Sequence, residues 1–342
     1  MRIALLGAGA IGTIIGALLT EGGHDAELVD NYKEHVEALR ASGAKIVGGI
    51  EKSVPVKAIY PDELSGKYDL VISLTKHNAI EESLLNIKPF TRDSAIILTL
   101  QNGMPEEKSK RIFQESNLMG GGVEFSGTFM GPGVSKLASG KETLGVSFGS
   151  FEGPVTDKVL EVQKIMESVG HTEITDNLKG VRWTKLTDNS CFSGLATALG
   201  CTVGEILDDD FAMDCIAYTG MECADIIAKL GIKPVELFGL LPTRERVCFD
   251  NSEEKEKVKN YWKKVYTPFR AQIASMLQDI RSGKKCEINN INGETVRVAK
   301  TLGIDVPFNR KIVELVTKLQ DKEISLKHAW ENLNEFKRLK EV

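Results

Sequence analysis

The chain has 342 residues, 42% hydrophobic and 27% charged, with a formal net charge of −5 at pH 7. This length accommodates two domains with separate cores. The net negative charge and the lack of a lysine- or arginine-rich tract argue against nucleic-acid binding. The apolar stretch at residues 5–19 is short, interrupted by glycines and preceded by a single arginine. We therefore expect neither a signal peptide nor a membrane span.

A glycine-rich turn follows the first apolar run of the chain. Residues 1–6 predict a strand, residues 13–19 predict a helix, and between them lies a G-x-G-x-x-G motif formed by Gly7, Ala8, Gly9, Ala10, Ile11 and Gly12. In a dinucleotide site, Gly7 permits the tight turn, Gly9 lets the backbone approach the pyrophosphate, and Gly12 lets the helix pack on the strand. The helix N-terminus then offers N–H groups to the phosphates. The alternative is an ordinary tight turn.

A carboxylate ends the second predicted strand. Asp30 follows residues 25–29 and lies 21 positions after Gly9. Such a carboxylate accepts hydrogen bonds from the adenosine ribose hydroxyls and repels a 2′-phosphate, which favours NAD over NADP. Alternatively, Asp30 caps a helix that begins near Asn31 or Tyr32. Lys33 could receive a phosphate, so NADP remains open.

The remaining elements predict two domains. Apolar runs at 68–75 and 94–100 are typical of buried parallel strands, and the later predicted elements are a strand at 117–125, antiparallel edge strands within 131–149, a helix at 156–169 and a strand at 171–174. From Gly180 onward the pattern is helical, with a charged helix near 253–265 interpreted as a solvated face. The sequence thus predicts an α/β Rossmann-type domain (1–178) followed by an all-α domain (179–342), with the site in the cleft between them.

The cysteines and histidines offer no catalytic constellation. All six cysteines lie in the second half, without a C-x-x-C pair, which favours reduced thiols in a cytoplasmic enzyme and no metal site. Each histidine is interpreted as a surface or packing residue: His24, His35, His77, His171 and His328. We therefore expect the proton donor to be a lysine or a carboxylic acid.

Two helical segments carry polar residues at helical spacing. They are Lys185, Asn189 and Ser193 in the first segment, and Ser275 with Asp279, followed by Glu287 at a predicted helix N-terminus, in the second. Residues four positions apart share one face of a helix, so the first three predict a polar stripe. The alternative is that these residues face solvent or cap helices.

Together these motifs resemble the ketopantoate reductase family. The resemblance also includes Thr75-Lys76, Leu100-Gln101-Asn102-Gly103-Met104, Gly131-Pro132-Gly133-Val134, Cys201-Thr202-Val203-Gly204-Glu205 and Ile291-Asn292-Gly293. It implies a nicotinamide-dependent reductase of a small 2-oxo acid. By this resemblance Lys185 is the general acid and Glu287 a second catalytic carboxylate. The implied substrate-side groups are Asn102, Asn189, Ser193, Ser275 and Asp279, and Lys76 and Asn102 lie by the cofactor.

Three departures from the family pattern leave the substrate and the cofactor open. Ser193 and Val203 stand where asparagine is common, and Asp30 replaces a basic residue of NADP-using members. The alternatives are reduction of ketopantoate for pantothenate synthesis, an NAD-dependent D-2-hydroxyacid dehydrogenase acting on another branched or aromatic 2-oxo acid, and a non-catalytic nucleotide sensor. Lys185 and Glu287 argue against the sensor. The oligomeric state also stays open, with a homodimer as one option.

Overall fold

Parallel strands organise the amino-terminal part of the chain. The structure, a computed structural model, describes residues 1–339 and divides into two units, Met1–Leu178 and Lys179–Val342. The strands are β1 (Arg2–Leu6), β2 (Asp25–Val29), β3 (Ala44–Gly48), β4 (Lys52–Val54), β5 (Lys57–Ile59), β6 (Tyr68–Ser73), β7 (Thr91–Thr99), β8 (Leu118–Val123), β9 (Gly127–Gly131), β10 (Val134–Leu137), β11 (Gly145–Ser150) and β12 (His171–Ile174). They form an eight-stranded sheet, β12-β11-β8-β7-β6-β1-β2-β5, and a four-stranded sheet, β4-β3-β10-β9.

The larger sheet has a doubly wound arrangement. β1 pairs in parallel with β2 on one side and with β6 on the other, and β5, β7 and β8 continue the parallel pairing outward. The strand order reverses at β1, so the carboxyl ends of β2, β1, β6 and β7 lie side by side at one edge of the sheet. This confirms the predicted Rossmann-type α/β fold.

The core of this unit lies on both faces of the sheet. Successive side chains of β1 alternate between two buried apolar clusters, with Ile3 and Leu5 in one and Ala4 and Leu6 in the other. The helices are α1 (Ala10–Glu21), α2 (Lys33–Ser42), α3 (Ile80–Ile87), α4 (Glu106–Ser109) and α5 (Asp157–Met166). Ile14 of α1 belongs to the first cluster and Leu84 of α3 to the second, so helices cover both faces. This double covering explains why β1 is apolar at every position from Ile3 to Leu6.

The segment from residue 131 to 149 differs in part from the prediction of antiparallel edge strands. β10 pairs antiparallel with β9 but parallel with β3, so it lies inside the smaller sheet. β11 is antiparallel to β8, and β12 pairs with its other side. Alternating apolar residues predicted strands here but could not predict their partners, because pairing depends on contacts distant in sequence.

Helices build the second part of the chain, as predicted. They are α6 (Leu178–Asp188), α7 (Gly194–Leu199), α8 (Val203–Asp208), α9 (Asp210–Lys229), α10 (Arg244–Val247), α11 (Ser252–Tyr266), α12 (Ser275–Arg281), α13 (Asn292–Leu302), α14 (Pro307–Gln320) and α15 (Leu333–Lys337). A π-helical turn, Asn189–Ser193, joins α6 to α7. Among the described residues, no helix combines the length and apolar character needed to cross a membrane.

The charged helix α11 is more than the solvated face that its composition suggested. Lys259 is only 1% exposed, and its ammonium contacts Asp210 at 2.5 Å, Glu256 at 2.9 Å and Asp214 at 3.3 Å. Burial opposes the charge, but the bonds to Asp210 and Glu256 hold the pKa of Lys259 above its ordinary value. The three carboxylates are close enough to hold a metal ion, yet the lysine ammonium already supplies the cation at their centre.

Candidate active site

The glycine turn predicted from the sequence forms the carboxyl end of β1 and the start of α1. Gly7 has φ +90°, and a Cβ there would lie 2.8 Å from the backbone nitrogen of Thr75, so only glycine suits this position. At Gly12 a Cβ would collide with the carbonyl oxygen of Gly7. A Cβ at Gly9 would meet nothing within 4 Å. The turn therefore packs tightly against the sheet at Gly7 and Gly12 and leaves open space at Gly9, as a pyrophosphate requires.

The buried side chain of His35 hydrogen-bonds to the backbone of the glycine turn. The carbonyl oxygen of Ala8 accepts hydrogen bonds from Thr13 Oγ1 at 2.6 Å and from His35 Nε2 at 2.6 Å. The other ring nitrogen, Nδ1, accepts a hydrogen bond from the backbone N–H of Gly133 at 2.9 Å. His35 is therefore the neutral tautomer with its proton on Nε2, and burial lowers its pKa. The sequence interpretation as a surface or packing residue missed this contact.

Asp30 lies beside the glycine turn. Gly7 donates its N–H to the carbonyl oxygen of Val29, the last residue of β2, at 2.9 Å. The Asp30 carboxylate accepts the backbone N–H of Tyr32 at 2.9 Å, and α2 begins at Lys33. Tyr32, rather than Asp30, is the N-cap residue of α2, and the bond to Asp30 lies directly before the helix. Asp30 is instead fixed at the strand end where a ribose is expected.

Lys76 and Asn102 follow the next two parallel strands. Both side chains are exposed, Lys76 just after β6 and Asn102 just after β7. Because the carboxyl ends of β2, β1, β6 and β7 are adjacent, Asp30, the glycine turn, Lys76 and Asn102 follow one another along a single edge of the sheet. This edge is where doubly wound proteins bind nucleotides, and the open space at Gly9 fits a dinucleotide there.

In the helical unit, Lys185 is fixed by a carboxylate that sequence reasoning did not single out. Its ammonium lies 2.7 Å from Asp188 Oδ2, one helical turn further along, and the side chain is 32% exposed. Asp188 Oδ1 accepts the hydroxyl proton of Tyr266. Tyr266 stacks on Phe192 with ring centroids 3.7 Å apart, and burial raises its pKa well above the ordinary value. A buried aromatic pair thus anchors the carboxylate that holds Lys185.

The predicted polar stripe is not a continuous α-helix. Residues 189–193 form a π-helical turn, a feature that often occurs at functional sites. Lys185, Asn189 and Ser193 are all half-buried, whereas Ser190 within the turn is buried. The amide nitrogen of Asn189 is buried and has no hydrogen-bond partner among the described residues. Such a donor is costly unless a ligand pairs with it.

A buried polar network braces the π-helical turn. Asn292 donates its amide protons to the carbonyl oxygen of Ser190 at 2.9 Å and to Asn309 Oδ1 at 3.0 Å. Glu222 accepts the backbone and side-chain N–H groups of Asn309 at 2.9 and 2.8 Å. Burial raises the pKa of Glu222 to about 7 despite these bonds. The network explains how the turn is held in its irregular geometry.

The remaining predicted residues lie on or beside α12 and α13. Ser275 is exposed at the first position of α12, and the half-buried Asp279 follows one turn later. Glu287 is half-buried and precedes a 3₁₀ turn, Ile288–Asn290, whereas α13 begins only at Asn292. The expected helix N-terminus at Glu287 is therefore a single 3₁₀ turn.

The glycine turn and the anchored lysine together define a class of protein. Nicotinamide-dependent oxidoreductases combine a glycine turn, at the point where the strand order of a doubly wound sheet reverses, with a second unit that supplies the catalytic side chains. This chain has such a turn and a helical unit with an anchored lysine. A family model described as "Ketopantoate reductase PanE/ApbA" matches residues 3–152, and one described as "Ketopantoate reductase PanE/ApbA C terminal" matches residues 177–320. The chain belongs to the ketopantoate reductase family and is an NAD(P)-dependent oxidoreductase that acts on a 2-oxo acid.

Known relatives are similar along nearly the whole chain. A 2-dehydropantoate 2-reductase of Pyrococcus horikoshii is 31% identical over 323 residues, which is 92% of this chain and 96% of the relative. Another, from Lactococcus lactis, is 26% identical over 321 residues, covering 92% of this chain and 97% of the relative. The solved ternary structure of D-mandelate dehydrogenase with NADH and anilino(oxo)acetate has a TM-score of 0.81 at 24% identity, covering 94% of this chain and 99% of that one. It has the same fold.

Proposed function

We propose that the chain is a 2-dehydropantoate 2-reductase that uses NADH, with Lys185 as its general acid. The proposal depends on two side chains four residues apart: Lys185, whose ammonium is held by Asp188, and Asn189, whose buried amide nitrogen has no hydrogen-bond partner among the described residues. A charged proton donor and a neutral hydrogen-bond donor on one side of a helix suit the two oxygen-bearing groups of a 2-oxo acid. The 2-dehydropantoate 2-reductase from Pyrococcus horikoshii supports the choice of substrate.

In the proposed reaction, the ammonium of Lys185 faces the negative charge that develops on the substrate oxygen. The nicotinamide, when bound, supplies the hydride to C2. Lys185 stabilises the negative charge on the C2 oxygen and donates a proton to it. Asp188, fixed by Tyr266, keeps the ammonium of Lys185 in one orientation. The proton donor is therefore already positioned when the substrate binds.

The other predicted residues take supporting roles in this proposal. Glu287 is the second catalytic carboxylate, and the amide of Asn189 donates a hydrogen bond to the substrate. The further substrate-side groups are Asn102, Ser193, Ser275 and Asp279. The dinucleotide lies along the sheet edge formed by the glycine turn, Asp30, Lys76 and Asn102, with Asp30 favouring NADH because its carboxylate repels a 2′-phosphate.

The second candidate is an NAD-dependent D-2-hydroxyacid dehydrogenase acting on another branched or aromatic 2-oxo acid. Ser193 and Val203 favour it, because both replace asparagines common in ketopantoate reductases and so remove amide groups. Val203 is buried at the start of α8. Fewer polar groups would suit a substrate that lacks the hydroxyl of ketopantoate.

A substrate panel separates the two candidates. The purified protein is assayed with ketopantoate, 2-oxoisovalerate and phenylglyoxylate, each with NADH and with NADPH, and Lys185→Ala is the inactive control. The proposal predicts the highest kcat/KM with ketopantoate and NADH. A higher value for phenylglyoxylate or 2-oxoisovalerate supports the second candidate, and no reduction of any of the three contradicts both.

A further inference from the structure

A strained turn lies between α9 and α10. Leu237 and Leu240 exchange both backbone hydrogen bonds, at 3.0 and 2.8 Å, and enclose Phe238 and Gly239. Phe238 has φ +53° and Gly239 has φ +82°, the signature of a type I′ turn, whose first central position normally holds asparagine, aspartate or glycine. Phe238 and Lys322 are the non-glycine residues with positive φ in the described part of the chain. A phenylalanine in this conformation is uncommon and costs free energy.

One tyrosine hydroxyl anchors the turn through two hydrogen bonds and so holds the strained backbone in place. The hydroxyl of Tyr261 accepts the N–H of Leu241 at 2.7 Å and donates to the carbonyl oxygen of Gly239 at 3.1 Å. Leu240 is buried, whereas Phe238 is 49% exposed at the apex. The surroundings thus fix an exposed aromatic ring in an unfavourable backbone conformation. Strain of this kind clusters at functional sites.

The ring of Phe238 lies against the proposed general acid. Its centroid is 5.0 Å from Nζ of Lys185. A 2-oxo acid that receives a proton from Lys185 has its C2 oxygen about 3 Å from that nitrogen. The group attached to C2 is two bonds further on, so a substrate whose oxygen approaches Nζ from the side of the ring brings that group within contact distance of Phe238.

We propose that Phe238 is a specificity-determining residue that selects 2-oxo acids with a bulky branched or aromatic group attached to C2. This inference rests on the proposed function. The face of a phenylalanine ring is chiefly an apolar contact surface, so it stabilises a substrate according to the apolar area it covers. A quaternary carbon with two methyl groups, or a phenyl ring, covers far more of Phe238 than the methyl group of pyruvate does.

A different role for Phe238 predicts a different result. A ring that only stabilises the ammonium of Lys185 through a cation–π contact would affect every substrate alike, because every substrate uses the same acid. A ring that touches the substrate changes the preference between substrates. The ratio of kcat/KM values therefore separates the two roles.

The test uses two substitutions that suit the left-handed backbone. Phe238→Gly removes the ring without strain, and Phe238→Asn places a polar side chain in the residue type favoured at this turn position. Both variants are expected to remain folded, which circular dichroism and thermal unfolding check. The control is Phe211→Ala, because Phe211 also contacts a lysine, with Lys337 5.8 Å from its ring centroid.

The measurement is kcat/KM for ketopantoate, phenylglyoxylate and pyruvate with the preferred cofactor. We expect the ratio of each bulky acid to pyruvate to fall about tenfold or more in both Phe238 variants, the scale of one or two lost apolar contacts, and to stay unchanged in Phe211→Ala. An active wild type whose ratios are unchanged in both variants, or whose rates fall equally for all three acids, overturns the inference alone. A wild type that reduces none of the three contradicts the proposed function as well.

Discussion

The imidazole of His35 donates a hydrogen bond to the carbonyl oxygen of Ala8, which lies inside the glycine turn 27 residues earlier in the chain. Its other nitrogen accepts the N–H of Gly133, 98 residues later. One buried side chain therefore connects the proposed pyrophosphate site with α2 and with the turn between β9 and β10. His35 supports the glycine turn together with Thr13, which donates to the same carbonyl oxygen.

Replacing His35 is expected to weaken cofactor binding. His35→Phe leaves the N–H of Gly133 without its partner and removes a donor from Ala8, and losing such bonds costs about 1–3 kcal/mol. We expect the Kd for NADH, measured by fluorescence titration, to rise about tenfold. His171→Phe, at an exposed histidine of the same unit, serves as the control. An unchanged Kd in a folded His35→Phe protein would show that the turn holds its shape without this residue.

The same histidine predicts a dependence on pH. Burial places the pKa of His35 below its ordinary value of 6.5, while Asp30, the charged group that acts on the ring, opposes this effect. As the pH falls below 6.5, the unfolded chain binds a proton that the folded chain does not, so this contribution to stability is lost on the acid side. Protonation of Nδ1 would also break the bond from Gly133. We expect NADH affinity to be constant above neutral pH and to fall in acid, and this fall to be smaller in His35→Gln.

The cofactor preference depends on Asp30. We expect wild-type kcat/KM to be higher with NADH than with NADPH, because the Asp30 carboxylate and a 2′-phosphate carry like charges. Asp30→Ala should narrow this preference, and Asn31→Arg should narrow it further by supplying a partner for the phosphate. A wild type that clearly favours NADPH would show that Asp30 does not contact the ribose.

Asp188 is expected to act by positioning Lys185. Asp188→Asn keeps an acceptor for Tyr266 but removes the charge that holds the ammonium. We expect kcat to fall about tenfold, less than the loss of the acid itself, and the Kd for the reduced cofactor to stay unchanged. Tyr266→Phe should produce a smaller change in the same direction. A purely structural role for Asp188 would lower the melting temperature and leave kcat of the folded protein unchanged.

Replacing Glu287 tests whether it is the second catalytic carboxylate. Glu287→Gln retains the shape of the side chain and removes its charge, so we expect lower activity with little change in thermal stability. Glu287 is only half-buried and precedes a single 3₁₀ turn. Its side chain therefore contributes little to the stability of the core. A variant that unfolds, while each remaining folded molecule keeps normal activity, would assign Glu287 a structural role.

Local sequence patterns predicted the fold well. The glycine motif, the apolar strands and the helical second half depend on neighbours along the chain, and these predictions agree with the structure. The contacts from His35 to Ala8 and from Tyr266 to Asp188 join residues 27 and 78 positions apart. No spacing rule links such residues, because tertiary packing alone brings them together.

The π-helical turn was also beyond sequence reasoning. Residues 189–193 have the spacing of an ordinary α-helix, and the distant Asn292 braces the altered turn through the carbonyl oxygen of Ser190. Phe238 gave no signal either, since a phenylalanine before glycine does not suggest a type I′ turn. Its strain became apparent only from the backbone angle.

Single-turnover reduction of the preferred 2-oxo acid by Lys185→Ala tests whether Lys185 is the general acid. Preloading the protein with the preferred reduced cofactor separates the chemical step from cofactor binding, whose Kd is measured in parallel. We predict a rate about 100-fold or more below wild type, an unchanged Kd for the cofactor, and partial recovery of the rate when a small primary amine is added. A near-wild-type rate in this variant would show that Lys185 is not the proton donor.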